Sequence, residues 1–167
     1  MKDDADARFL TLAEALARAA HTSGARLILN DRADIARLAG ADGVHVGQDD
    51  LPVEHVRAIL GPSAMIGVST HDGDQVDAAL AGDASYVAVG PVFATFTKET
   101  GYGPRGLDLV RYAAGRGKPV AAIGGITLER APDVMLAGAS WLAVISDLLR
   151  AGDPEARARD YLRACGA

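Results

Sequence analysis

The feature that most constrains the fold is a regular alternation of short apolar segments and helical segments along the chain. Apolar runs that each end in polar or glycine residues predict six strands, at residues 26–29, 43–46, 65–68, 86–89, 120–123 and 141–145. The spacing of apolar residues between them predicts helices at residues 10–20, 53–60, 107–114, 128–136 and 154–164. Strands and helices that alternate with short connections form a parallel sheet with right-handed crossovers. The fold class is therefore α/β.

Two layouts of such a sheet compete, an open doubly wound sheet and a (β/α)8 barrel, and both bind ligands at the carboxyl ends of the strands. No glycine-rich dinucleotide fingerprint follows the first strand, which disfavours the doubly wound layout. Barrels often hold phosphate in the loops after their last two strands, and these loops read Gly124-Gly125 and Ile145-Ser146 here. We therefore expect a TIM (β/α)8 barrel.

The length of the chain does not suit a complete barrel. An eight-stranded barrel usually takes about 250 residues, whereas this chain has 167. We expect residues 1–167 to be a single partial barrel domain, truncated at its N-terminus, with about six of the eight strands. Either a longer N-terminus, or a partner chain, or a different closure of the strands would cover the exposed edges.

Charge and composition exclude several classes of partner. Lys and Arg number 17 and Asp and Glu number 22, and no basic block occurs, so nucleic-acid binding is not expected. Cys165 is the only cysteine, which excludes an intrachain disulfide and fits a reducing compartment. No apolar run approaches the ~20 residues of a membrane helix. We expect a cytoplasmic protein that binds small phosphorylated molecules, and homo-oligomerisation is left open.

Acidic residues follow two neighbouring predicted strands. Asn30 and Asp31 end one strand, and Asp49 and Asp50 end the next. Mg²⁺ usually takes one or two protein carboxylates and shares its other ligands with water and substrate phosphates. Each pair alone is explained as well by helix capping, because Asp31 and Asp50 each come just before a helical segment. The occurrence of both pairs favours a metal site.

The loop after the fourth predicted strand has an unusual set of side chains. Thr95 and Thr97 supply hydroxyl donors, and Lys98 supplies a positive charge. Such a set suits an anionic group such as a diphosphate. A flexible surface loop would explain the neighbouring glycines, but it would not explain the Thr-x-Thr-Lys spacing.

Further candidate phosphate contacts end other strands. The Ser69 hydroxyl can donate to a phosphate oxygen or cap the helix that follows, and Gly125 either presents a backbone amide or forms a tight turn. Ile145 and Ser146 open the last loop, where their amides can face the same phosphate. Lys2 near the chain start is either a ligand or a solvated terminal lysine.

Six motifs in register carry a resemblance to a known family. They read LILNDR, GVHVGQDDLP, GVSTH, GPVFATFTK, AIGGI and AVIS. In this order and spacing the chain resembles the thiamine-phosphate synthases and the related thiazole tautomerases. The resemblance implies a (β/α)8 barrel that joins hydroxymethylpyrimidine diphosphate to a thiazole phosphate, giving thiamine phosphate and pyrophosphate.

The resemblance also implies roles for single residues. Asp31 and Asp50 would coordinate Mg²⁺, and Lys98 and Ser69 would be the catalytic residues. Contacts to the diphosphate would come from Lys2, Asn30, Ser69 and Lys98. Contacts to the thiazole phosphate would come from Thr95, Thr97, Gly125, Ile145 and Ser146.

The chain departs from the family at its start. The family's first two strands are missing, and so is an arginine that precedes the lysine matched by Lys2, so we expect impaired activity. One alternative is a thiazole tautomerase-like enzyme without Mg²⁺, in which His71 would be the acid–base residue. Another is a non-catalytic remnant that binds phosphate. Asp49 and Asp50 after Gly47-Gln48 favour the synthase.

Overall fold

The computed structural model describes residues 4–95 and 101–166. The predicted ligand-binding residues Lys2, Thr97 and Lys98 lie outside the described residues, so their roles stay predictions. The strands are β1 (Ile28–Asn30), β2 (Gly43–Val46), β3 (Met65–Thr70), β4 (Tyr86–Val89), β5 (Val120–Ile123) and β6 (Trp141–Ala143). The helices are α1 (Asp4–Thr22), α2 (Ala33–Ala39), α3 (Val53–Leu60), α4 (Gly73–Ala81), α5 (Gly106–Ala113), α6 (Ala131–Leu136), α7 (Ser146–Leu149) and α8 (Pro154–Ala164).

The strands form one six-stranded sheet in chain order, from β1 to β6. The pairs β1–β2, β2–β3, β4–β5 and β5–β6 are all parallel. Each strand is followed by a helix, so the predicted α/β class and the six predicted strands are confirmed. The truncation and the single domain stay predictions.

The described residues divide into two compact units. The first contains the chain up to residue 68 together with residues 82–85, and the second contains residues 69–81 and the chain from residue 86 onwards. In the first unit, Val44 and Ile66 are fully buried on adjacent strands, and Ala36 of α2 is also fully buried. In the second unit, Val87 and Ala122 on paired strands are fully buried. Each unit therefore buries its own apolar strand residues.

Arg57 of α3 holds together the loops at the amino ends of β3 and β4 in the first unit. Its guanidinium donates to the carbonyl oxygens of Ala64 (2.6 Å) and Gly61 (3.2 Å). It also donates to the carboxylate of Asp83 (3.1 Å) and to the hydroxyl of Ser85 (3.3 Å). The Arg57 side chain is 18% exposed. The largely buried guanidinium of Arg57 therefore donates hydrogen bonds to acceptors in both loops.

Three of the described helices had no bounds in the sequence prediction, although helices were expected after Asp31 and after Ser69. These are α2, α4 and the short α7. Helix α4 begins after Asp72, whose carboxylate accepts a hydrogen bond from the backbone N–H of Gln75 (2.9 Å). This local cap supports a helix whose apolar spacing is weak.

Strand β3 is longer than predicted and ends at Thr70 rather than Val68. The Thr70 hydroxyl is fully buried and donates to the carbonyl oxygen of Ala88 (3.0 Å). Because its polar group is satisfied, Thr70 can continue the buried strand. None of the helices in the described ranges has the length and apolar content to span a membrane. The cytoplasmic location stays a prediction.

Replacing Arg57 with methionine should lower the free energy of unfolding by about 2–3 kcal/mol, because several partly buried acceptors lose one charged donor. Arg111→Met is the matched control, since Arg111 pairs only across the surface with Asp108, which is 96% exposed. That change should cost less than about 1 kcal/mol. Urea denaturation measures both, and equal losses would contradict the role given to Arg57.

Candidate functional site

The first unit presents a polar turn at the carboxyl end of β1. The register of β1 and β2 pairs Asn30 with His45, and the Asp31 N–H donates to the carbonyl oxygen of His45 (2.9 Å). Asp31 has a φ of 63°, in the left-handed region that residues with side chains rarely adopt. Strained backbone of this kind is concentrated at functional sites. Asn30 and Asp31 are both exposed at this edge of the sheet.

Asp50 lies in the loop that follows β2. One of its carboxylate oxygens accepts a hydrogen bond from the backbone N–H of Gly47 (2.7 Å). The turn fixes the side chain and leaves the second carboxylate oxygen for another ligand. Helices α2 and α3 begin after Arg32 and Pro52, and neither start has a side-chain cap hydrogen bond. This observation weakens the capping interpretation of Asp31 and Asp50.

The donors of the first unit fit a magnesium ion that is shared with a substrate. Asp31 and Asp50 are exposed oxygen donors after neighbouring parallel strands. The described ranges contain no group of three or more His, Cys, Asp or Glu side chains that could hold a metal by itself. A site with two carboxylates depends on water and phosphate oxygens for its other ligands, which is the usual arrangement for Mg²⁺.

In the second unit, β3 ends with side chains of alternating orientation. Ser69 is half-buried, on the opposite side of the strand from the buried Thr70. The imidazole of His71 follows, with its Nδ1 2.6 Å from the carbonyl oxygen of Gly90. Because a carbonyl oxygen only accepts, Nδ1 is the donor in this hydrogen bond. The contact fixes the orientation of the His71 ring.

The ring of Tyr102 covers the His71 imidazole. The two rings are stacked with centroids 4.0 Å apart and an interplanar angle of 18°. The guanidinium of Arg105 lies over the tyrosine ring, 5.0 Å from its centroid. The sequence prediction included His71 but missed Tyr102 and Arg105, because nothing in the local sequence connects them to residue 71.

The turns after β4 and β5 are joined by backbone hydrogen bonds. The N–H of Val92 donates to the carbonyl oxygen of Ile123 (2.8 Å), and that of Phe93 donates to Gly124 (3.0 Å). Gly125 has a φ of 62°, and a Cβ added there would lie 2.5 Å from the carbonyl oxygen of Ala94. Only glycine therefore fits this position. The loop that contains Ala94 continues to the half-buried Thr95.

A cation supports the turn at Gly125. The Arg130 guanidinium donates to the Gly125 carbonyl oxygen (2.8 Å) and lies 4.6 Å from the ring centroid of Phe93. Sequence reasoning missed this arginine. An arginine five residues after a glycine pair, before a helix, is the signal that could have indicated it.

Ile145 and Ser146 form the start of α7. Their carbonyl oxygens accept hydrogen bonds from the N–H groups of Leu149 (3.0 Å) and Arg150 (3.0 Å). The register of β5 and β6 pairs Ile123 with Ala143, so the turns after these strands leave from the same edge. The second unit thus contains Ser69 near the end of β3 and, after its other strands, Thr95, Gly125, Ile145 and Ser146. That these turns share one mouth with Asp31 and Asp50 stays a prediction.

A parallel α/β sheet with polar and glycine residues after its strands is typical of α/β proteins that bind small molecules at the carboxyl ends of the strands. A family model described as thiamine monophosphate synthase matches residues 1–148. The chain belongs to this family, and it is a transferase. The resemblance inferred from the six motifs is confirmed.

Curated relatives agree with this assignment. A thiamine-phosphate synthase from Mycobacterium bovis is 52% identical over 161 residues, covering 95% of this chain and 72% of the relative. One from Mycolicibacterium smegmatis is 49% identical over 156 residues, covering 92% of this chain and 68% of the relative.

Solved structures show the same fold. Thiamine phosphate pyrophosphorylase from Pyrococcus furiosus matches with a TM-score of 0.89 and 28% identity, over 99% of this chain and 80% of that chain. A 3-hexulose-6-phosphate synthase from Salmonella typhimurium matches with a TM-score of 0.71 and 18% identity, over 93% and 79% of the two chains. The second likeness shows the fold alone. The architecture is a six-stranded parallel half-barrel of the TIM-like type.

Gly125→Ala should destabilise the protein more than Gly115→Ala. Both residues have positive φ, but an added Cβ meets nothing within 4 Å at Gly115. The backbone strain should cost about 1–2 kcal/mol at either position, and the clash with Ala94 should add about 1–3 kcal/mol at Gly125. Chemical denaturation of the two variants measures the difference, and equal destabilisation would mean that the turn relaxes around the new methyl group.

Proposed function

We propose that this chain performs the Mg²⁺-dependent coupling of hydroxymethylpyrimidine diphosphate with thiazole phosphate, giving thiamine phosphate and pyrophosphate. The observation that carries the magnesium assignment is the strained, exposed Asp31 at the end of β1, beside the loop that fixes Asp50. Relatives named thiamine-phosphate synthase at about half identity support the reaction.

The metal-binding groups would come from the segments that follow β1 and β2. Asp31 and Asp50 would hold the ion, each through an oxygen of its side-chain carboxylate. Bound Mg²⁺ would neutralise charge on the diphosphate and so stabilise the leaving pyrophosphate. Asn30 would donate its side-chain amide to the diphosphate oxygens from the same turn.

The other substrate contacts would come from later segments of the chain and from its start. Ser69 and Lys98 would donate to the diphosphate, and Lys2 would add charge from the chain start. The turn residues Thr95, Thr97, Gly125, Ile145 and Ser146 would bind the thiazole phosphate, largely through hydroxyl and backbone N–H groups. Glycine at position 125 lets a main-chain amide approach the phosphate closely.

The chemistry needs positioning and charge stabilisation rather than a protein nucleophile. The C–O bond to the diphosphate breaks, and its electron pair leaves with pyrophosphate. The lone pair of the thiazole nitrogen then forms the new C–N bond with the pyrimidine methylene carbon. Lys98 and Ser69 would stabilise the charge that develops on the leaving oxygen, because donors aimed at developing charge lower the barrier most.

Asp50→Asn should weaken activation by Mg²⁺, because the amide removes one negative ligand. We expect the half-saturating Mg²⁺ concentration to rise about ten-fold or more, within the range that loss of metal-site groups produces. Asp49→Asn is the neighbouring control and should leave the Mg²⁺ titration within two-fold. A titration of Asp50→Asn that matches the unchanged protein would exclude Asp50 as a ligand.

Lys98→Ala should reduce turnover by about 10²-fold or more through lost stabilisation of the leaving group, with little change in melting temperature. Lys118→Ala is the matched control, because the Lys118 ammonium donates to the carbonyl oxygen of Ala79 (3.0 Å). That variant should lose about 1 kcal/mol of stability and keep its turnover. Loss of stability without loss of turnover in Lys98→Ala would reject its catalytic role.

The same assay separates the alternatives. A tautomerase would isomerise a thiazole carboxylate phosphate without Mg²⁺, with Nε2 of His71 as the exchanging base. A phosphate-binding remnant would bind thiazole phosphate in a calorimetric titration and release no pyrophosphate. Pyrophosphate release that requires both substrates and Mg²⁺ would support the synthase.

A further inference from the structure

Asp147 lies directly after the predicted phosphate contact Ser146, and its carboxylate is the centre of a hydrogen-bond cluster. Arg157 of α8 donates through Nε (2.9 Å) and Nη2 (3.1 Å). The Tyr161 hydroxyl, also on α8, donates over 2.6 Å. The backbone N–H of Leu128, in the segment between β5 and α6, also helps to lower the pKa of this carboxylate. One carboxylate therefore connects the start of α7, the segment after β5 and the C-terminal helix.

The cluster is largely removed from water. The side chains of Asp147 and Arg157 are 18% and 24% exposed, and Tyr161 is buried. The guanidinium of Arg157 and the other donors hold the pKa of Asp147 below its usual value, so its carboxylate is ionised at neutral pH. Burial and the neighbouring carboxylate raise the pKa of Tyr161, which keeps its proton. Charge-assisted hydrogen bonds among such groups are strong and directional.

The position of this cluster is informative because it touches both turns assigned to the thiazole phosphate. Leu128 follows the turn that contains Gly125, and Asp147 follows Ile145 and Ser146. The Tyr161 oxygen also lies 3.4 Å from the carbonyl oxygen of Ile126. A lone carboxylate beside a phosphate site would repel the ligand. The salt bridge from Arg157 offsets that charge, so Asp147 can hold both turns without this cost.

A second cluster of the same composition provides a comparison within the molecule. The Tyr112 hydroxyl donates to both carboxylate oxygens of Asp77 (2.9 and 3.0 Å), and Arg116 donates to the same carboxylate (2.6 Å). This second cluster joins α4 to α5 and to the residues that follow α5. Tyr112 is 45% exposed. Its members lie in α4, in α5 and just after α5 rather than next to the phosphate turns.

We infer that Asp147 is a positioning residue, which Arg157 and Tyr161 hold in place so that the turns at Gly125 and at Ile145-Ser146 keep the spacing that the phosphate of the thiazole substrate requires. The inference rests on the proposed function. Asp147 does not touch the substrate, and it acts through the backbone groups on either side of it.

Tyr161→Phe tests the inference, because it removes one hydrogen bond to Asp147 and keeps the ring. The KM for thiazole phosphate should rise on the order of ten-fold, comparable with the effect of removing groups that support metal ligands. The KM for the diphosphate substrate and kcat should stay within two-fold. Tyr112→Phe should leave all of these parameters unchanged. A thiazole phosphate KM within two-fold of the unchanged protein, or an equal rise for both substrates, would overturn the inference.

Arg157→Gln provides a second variant that leaves Asp147 ionised without its cation. It should raise the KM for thiazole phosphate more than Tyr161→Phe does, because the carboxylate of Asp147 then repels the phosphate without a compensating cation. If Tyr161→Phe does not fold, Arg157→Gln decides, and an unchanged KM in it would overturn the inference. Failure of the proposed function is distinguished by the unchanged protein, which would then release no pyrophosphate from the two substrates.

Discussion

Parallel strand pairing in register is the constraint on which the rest of this molecule depends. Because paired strands run in the same direction, their carboxyl ends leave from one edge of the sheet. In the first unit this places the turn at Asp31 beside the loop of Asp50, and in the second it places the turn of Gly125 beside Ile145. Residues far apart in sequence thus become neighbours without any long-range side-chain contact being needed.

The phosphate contacts proposed for the turns at this edge are largely backbone groups. Such groups need other residues to hold them in position. Gly125 has no side chain that could anchor it, so its carbonyl is bound by Arg130 and its conformation is fixed by the close approach of Ala94. On the other side, Asp147 connects the segment after β5 to the start of α7. The protein has a net charge of -5, yet the cations Arg130 and Arg157 lie close to these turns. Local charge, not net charge, therefore governs whether an anion binds there.

Much of the fold could be predicted from the sequence because buried parallel strands are continuous apolar runs. Strands β2, β4 and β5 begin and end at the predicted residues. Helices α2 and α4 were expected only as the helices that follow Asp31 and Ser69, and their bounds were not predicted. The end of β3 was missed because Thr70 reads as a polar turn residue, whereas a tertiary hydrogen bond from its hydroxyl lets it stay buried.

The candidate site shows the same difference between residues in local sequence patterns and residues that meet only through tertiary contacts. Residues that are proposed to bind through their own side chains, such as Asp31 and Asp50, occur in short local patterns that a sequence can reveal. Residues that position others do not, since Arg157 and Tyr161 lie ten and fourteen residues after Asp147 and meet it only in the folded chain. Sequence motifs therefore record the groups that contact a ligand, and the supporting contacts become visible only with the structure. A phosphate site built from glycine amides depends on such contacts more than one built from charged side chains, because its ligating groups carry no anchors of their own.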